Sequence, residues 1–402
     1  MGWGPRRGGP LPLLVMLTCL LAHRAEADDA GLRAGLAGLY TGLRTGLHTN
    51  ELHLVSSYCQ APCLDYDVSA ELDNDWTFAT SPTSLRADNL YTTIDTDLVV
   101  VPVDHLKLVG RFSLDQLTDV IPGQDQAFNG EGVYVDQLFA DVDAGPLNLY
   151  AGKIHPAFGR GWDVTPGIHS TDIPGNYELQ ERIGFGGGFA FDAFGLDSVL
   201  QASAFTTDRT VLNKSFIVNR PRTHLRDGGA GNTEGLSSLA VTLDSCLGAS
   251  AALCYGDGVF GFQLAGLYQR AGRGDYGDET GFAASVNKSF FFGKKALRLF
   301  GEVAYFDNFE GSADSNLFLT ASGELEIGPM AYSLAYTVQK DLTAGGTEKL
   351  FEVAAAYDLS AKKSFARKKW SLAAAYSFDR NAGEDAHVFA LRLTLDFSGS
   401  VP

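Results

Sequence analysis

The sequence predicts an all-β fold: a closed antiparallel transmembrane β-barrel of about sixteen strands. Three observations carry that expectation. From about residue 64 to residue 397, apolar residues alternate with polar or small ones at a period of two. Turn signals break the alternation at regular intervals, and short and long connections take turns, as in membrane barrels. No stretch of 18 apolar residues occurs, so a membrane-spanning helix has no candidate.

The chain opens on an export pattern over 1–27. Arg6 and Arg7 supply positive charge, Leu11 to Ala22 is a short apolar run, and Ala25-Glu26-Ala27 suits small-residue cleavage. Residues 28–63 are expected to form a periplasmic leader, flexible or a short helix. Its leucines at 32, 36, 39, 43 and 47 have helical spacing, but neighbouring glycines weaken a helix by about 1 kcal/mol each. The formal charge of the whole chain is -17. Loss of 1–27 removes Arg6, Arg7, Arg24 and Glu26, a net +2, and takes that charge to -19. So acidic a chain argues against nucleic acid as a partner, which needs a basic footprint.

The strands follow in order. Fifteen are counted between turn signals: 86–101, 106–117, 131–142, 147–154, 181–193, 197–207, 235–245, 259–271, 279–292, 296–307, 314–327, 330–340, 347–359, 369–379 and 385–397. A barrel with both ends on one side needs an even number, and Leu64 to Thr80 is the place for the sixteenth. The last strand shows the alternation best. His387, Phe389, Leu391, Leu393, Leu395 and Phe397 share one face, while Val388, Ala390, Arg392, Thr394 and Asp396 share the other. Residues 398–402 are expected as a short tail.

Soluble sandwiches also alternate, so other features decide for a membrane. Apolar faces carry aromatics near strand ends, as Trp370 and Phe378 do. Eight residues cover roughly 26 Å along a strand, or about 19 Å at a tilt of 45°, which leaves room for aromatic girdles. The opposite faces carry Ala, Gly, Ser and charges, which suits a wet lumen better than a dry core. A sheet this long must close in lipid, because its edge groups would otherwise go unpaired.

Without Cys19 of the export segment, four cysteines remain: Cys59, Cys63, Cys246 and Cys254. Export to an oxidising compartment makes disulfides the expectation, with the two local pairs favoured among three connectivities. Their spacings lie outside the usual zinc-ligand pattern. No cofactor or metal is expected.

The segment Leu149-Tyr150-Ala151-Gly152-Lys153-Ile154-His155-Pro156-Ala157-Phe158-Gly159 resembles the end of a fifth strand entering the constriction loop of 16-stranded porins, the phosphate-selective and general porins of Gram-negative outer membranes. The strand count independently puts 155–180 after strand five. Phe397 on the last strand resembles the signal read by the barrel-assembly machinery, although Ser398 to Pro402 follow it. The arginine-dense lumen of phosphate-selective members is not visible. The resemblance implies an outer-membrane porin, a water-filled channel for passive diffusion of small hydrophilic solutes and ions. It also implies a homotrimer in contact with lipid and lipopolysaccharide. The alternative is a structural or surface-binding barrel with a plugged lumen.

A pore needs no catalyst; its width and lining charges select. By parity, lumen-facing candidates are Lys107, Arg111, Asp115, Arg182, Arg298, Glu302, Glu324, Glu352, Arg392 and Asp396, with Arg160, Asp163, Asp172 and Glu178 from the inward loop. Bases lead in early strands and acids in later ones, which suggests a transverse field across the lumen. An enzyme is not expected. Ser170 follows His169 directly, neighbours on a strand point to opposite faces, and no Gly-x-Ser-x-Gly elbow occurs.

Overall fold

The computed structural model describes residues 59–402 apart from 119, 252, 253, 361–367 and 382. The export segment and residues 28–58 of the leader lie outside the described residues. The strands are β1 Cys63–Ser81, β2 Ala87–Val103, β3 Leu106–Gln116, β4 Gln126–Ala127, β5 Glu131–Ala144 and β6 Leu147–Ile154. Then come β7 Arg182–Ala193, β8 Leu196–Thr207, β9 Ser238–Leu247, β10 Phe260–Gln269, β11 Glu279–Phe292 and β12 Lys295–Asp307. The last are β13 Asn316–Ile327, β14 Met330–Asp341, β15 Thr347–Asp358, β16 Lys368–Asn381 and β17 Glu384–Val401.

Sixteen of these form one antiparallel ring, each bonded to its neighbour in sequence. The ring closes where β1 pairs with β17 from Leu64↔Val401 to Ser81↔Asp385. The two-residue β4 stands outside the ring order and pairs in parallel with β2. Closure leaves no strand edge to be satisfied by lipid. The strand expected over 64–80 is β1. The expected tail is a correction: Ser398 to Val401 continue β17, in register with Asp67 to Leu64.

Parity assigns the faces. Along β17, Phe389 and Leu391 are exposed while Ala390, Arg392 and Thr394 are buried. The same holds around the ring, where Leu108, Leu138, Phe185, Leu264, Phe282, Leu319, Leu334 and Leu372 all point outward. Large apolar side chains therefore form a continuous outer belt, the arrangement a bilayer stabilises.

One end of the ring carries the two-residue connections Gly145-Pro146, Phe194-Gly195, Gly293-Lys294 and Gly328-Pro329. At Phe194-Gly195 both residues have positive φ, 54° and 77°, the primed-turn geometry that matches the twist of a hairpin. Both expected disulfides form at this same end, Cys59–Cys63 at the start of β1 and Cys246–Cys254 across the β9–β10 connection.

Candidate functional site

The site is built by the segment between β6 and β7, which leaves the wall and runs against inward-facing side chains. Its seating is partly apolar. Phe158, Trp162, Ile173, Tyr177 and Leu179 join Phe205, Phe306 and Phe318 of the wall in one buried cluster. Ala240, Ala265, Ala283 and Ala304 belong to the same cluster, and their small side chains leave room for the rings. Ile168 sits on a second patch of wall alanines, among them Ala354, Ala373 and Ala390. Each large side chain so buried contributes roughly 1.5–3 kcal/mol. The small inner-face residues, read from sequence as a sign of a wet lumen, here receive a dry aromatic wedge over part of the wall.

Two wall carboxylates hold the segment by its backbone. Glu302 accepts from the N–H groups of Arg160 and Gly161, each at 2.7 Å, and from the Tyr177 hydroxyl. Glu352 accepts from the N–H groups of Ile168 and His169, each at 2.7 Å, and from the Ser377 hydroxyl at 2.9 Å. Burial and the Glu302 carboxylate together push the Tyr177 phenol well above its ordinary value. Glycine is needed at both grips. A Cβ on Gly161 would lie 2.8 Å from Glu302 Oε1, and one on Gly167 would overlap Glu352 Oε1.

The contacts recur at every third strand. Arg160 reaches Asp244 on β9 at 3.3 Å, the two grips lie on β12 and β15, and His169 Nε2 meets Asp75 on β1 at 3.1 Å. The segment thereby covers the wall from β9 to β1. Opposite it lies a cavity of about 310 Å³ lined by β1, β2, β3, β5 and β17 together with residues 168–180. Glu71, Asp95, Asp115, Asp136, Asp172 and Glu178 face this cavity, as do Arg111, Arg392, His155 and His169.

Two histidines pin the segment to the cavity's rim. His155 lies between Asp136 at 3.0 Å and Glu178 at 3.5 Å. Burial opposes charge on its imidazole, but the two carboxylates outweigh burial and raise its pKa to about 9. His169 lies between Asp75 and Asp172; burial again opposes charge, and the carboxylates hold its pKa well above the ordinary value. The Ser170 hydroxyl is buried and donates to the Thr165 carbonyl at 3.0 Å, so it is not paired with a base.

Of the residues expected in the lumen, the cavity brings together Arg111, Asp115, Asp172, Glu178 and Arg392. Glu302 and Glu352 face inward as parity requires, but they lie beneath the segment, and Arg160, carried by the segment itself, is buried against the wall. There Arg160 contacts Asp163 at 3.7 Å. Arg182 lines a second cavity of about 370 Å³ on the other side of the segment and donates to Thr207. Towards the short-turn end, Lys107 pairs with Asp143, Arg298 with Glu324 and Glu326, and Asp396 accepts from Ser69.

The expected segregation of charge across the lumen is corrected. Arg111 binds Asp97 through two bonds of 2.6 Å, and Arg392 binds Asp73 at 2.6 Å and Glu71 at 3.2 Å. Bases are matched with acids on adjacent strands, because charges taken out of bulk water are stabilised most by a partner at contact distance. Sequence reading missed Glu71, Asp73, Asp75, Asp95, Asp97 and Asp136. The period-two placement of acids at 71, 73 and 75 and at 95 and 97 was the available signal.

No protein-family model matches the sequence, and no curated protein matches it. Solved structures do. The outer membrane channel DcaP of Acinetobacter baumannii aligns with a TM-score of 0.50 at 12% identity, covering 86% of this chain and 100% of its own. The chain shares the fold of an outer-membrane channel. OpdK of Pseudomonas aeruginosa, solved with vanillate, aligns with a TM-score of 0.49 at 10% identity over 84% of this chain and 99% of its own. An anion-selective porin from Comamonas acidovorans aligns with a TM-score of 0.46 at 8% identity, over 84% and 98%. The shared fold is that of a closed antiparallel ring.

Proposed function

We propose that this protein is an outer-membrane porin, a channel for passive diffusion of small polar solutes and ions. The observation that carries this reading is the pairing of an apolar outer belt with a polar cavity. That cavity is bounded by the wall on one side and the gripped segment 155–180 on the other. In this reading 155–180 is the constriction loop, the short-turn end faces the periplasm, and residues 1–27 are removed on export. The protein works without a cofactor and is not an enzyme. Its partners are outer-membrane lipid and lipopolysaccharide, the assembly machinery that inserts it, and two further copies in a homotrimer.

Reconstitution in planar bilayers tests the reading. Discrete conductance steps are expected, and a plugged or purely surface-binding barrel would give none. Cross-linking or native mass measurement in detergent tests the trimer.

A further inference from the structure

We infer that the cavity passes small cations in preference to anions, and that Asp95 and Asp115 set this preference. The inference rests on the channel reading above. It starts from how the cationic side chains around the cavity are used. Arg111 is held by Asp97, Arg392 by Asp73 and Glu71, His155 by Asp136 and Glu178, and His169 by Asp75 and Asp172. Every cation that lines the cavity is thus committed to at least one carboxylate.

Asp95 and Asp115 differ. They stand on the neighbouring strands β2 and β3, and both line the cavity. Asp95 accepts from the Ser113 hydroxyl at 2.6 Å. Asp115 accepts from the Thr93 hydroxyl at 3.5 Å and from the Gln116 N–H at 2.7 Å. Among the described residues neither forms an ion pair. Six carboxylates line the cavity against four cationic groups, so negative charge is in excess even with both imidazoles protonated.

A narrow wet space between low-dielectric walls concentrates that excess field, raising the local concentration of counter-ions and depleting co-ions. Hydroxyl and amide donors hold the two carboxylates in place without neutralising them. A mobile cation, inorganic or an organic ammonium, is therefore the species that offsets the charge as it passes.

The test is the reversal potential of reconstituted full-length protein under a tenfold KCl gradient. Wild type should show a potential of the cation-selective sign, and Asp95→Asn with Asp115→Asn should move it towards zero while single-channel steps persist. Heat-modifiable migration on gels confirms that the double variant is folded. If that variant does not fold, the same measurement on each single variant applies, and each should move the potential part of the way. Conductance with a zero or anion-selective potential in wild type, or no shift in any folded variant, would overturn the inference alone. Absence of any conductance would overturn the channel reading beneath it.

Discussion

Glu302 on β12 and Gly161 in the inward segment meet through a 2.7 Å hydrogen bond in which the glycine N–H donates to the carboxylate. The next N–H towards the N-terminus, that of Arg160, is bound by the other oxygen of the same group. A carboxylate can satisfy two adjacent amides because it only accepts; a carboxamide can accept at one atom and must donate at the other. Glu302→Gln therefore leaves one buried N–H opposed by an NH2 group, at a cost of about 1–3 kcal/mol. The barrel should stay folded while the segment detaches part of the time, giving larger and noisier single-channel currents. Unchanged conductance would show that the apolar cluster alone fixes the segment.

The second grip is tested through its glycine. Gly167 has φ +151°, and an added Cβ would overlap Glu352 Oε1 and lie 2.6 Å from Ser170 Oγ. Gly167→Ala should displace the segment from β15 at a cost of about 1–3 kcal/mol. Because it acts on the same contact as Glu352→Gln, the effects of the two substitutions on conductance should not add. Additive effects would separate the glycine from the carboxylate.

The imidazole of His155 sets a pH limit. Its pKa in the folded protein is raised to about 9 from an ordinary value of 6.5. A raised pKa means that the stabilisation is fully present below the ordinary value and is lost as pH rises through the folded value. The bridge from Asp136 to Glu178 through His155 should thus hold at pH 7 and fail near pH 9. Conductance fluctuations are expected to increase between pH 8 and 10 (both on the order of one unit from the folded value), and His155→Gln should remove that step.

The outer belt carries its own prediction. Leu391 is 40% exposed on the outer face of β17, between neighbours on β1 and β16. Leu391→Arg should destabilise the folded protein in a bilayer by about 2–4 kcal/mol if the site lies near the midplane. Reversible denaturant titration in lipid vesicles measures this. A change near zero would mean that this face meets water or protein instead of lipid.

Much of the ring was legible in the residues themselves. A strand declares its two faces through a period of two, and turn residues mark where it stops, so the alternation at 387–397 and the signals at Gly145, Gly293 and Gly328 locate elements without knowledge of their partners. The count of sixteen followed from parity of the ends. Local cysteine pairs needed only short spans of chain. The lumen was less legible. Parity tells which side of the wall Glu302, Glu352 and Arg111 occupy, and it says nothing about what stands in front of them.

Sequence alone determined that this chain has a greasy side and a polar side along each strand, and roughly where each strand begins and ends, because those properties depend on neighbours one or two residues away. Tertiary structure decided which inward charges meet solvent and which are spent holding the chain. Glu302 and Glu71 have the same chemistry and the same parity, yet one is covered by residues 158–161 and the other borders the cavity. The difference arises from where a segment more than a hundred residues away in sequence comes to rest, and that placement depends on the shape of the whole closed wall.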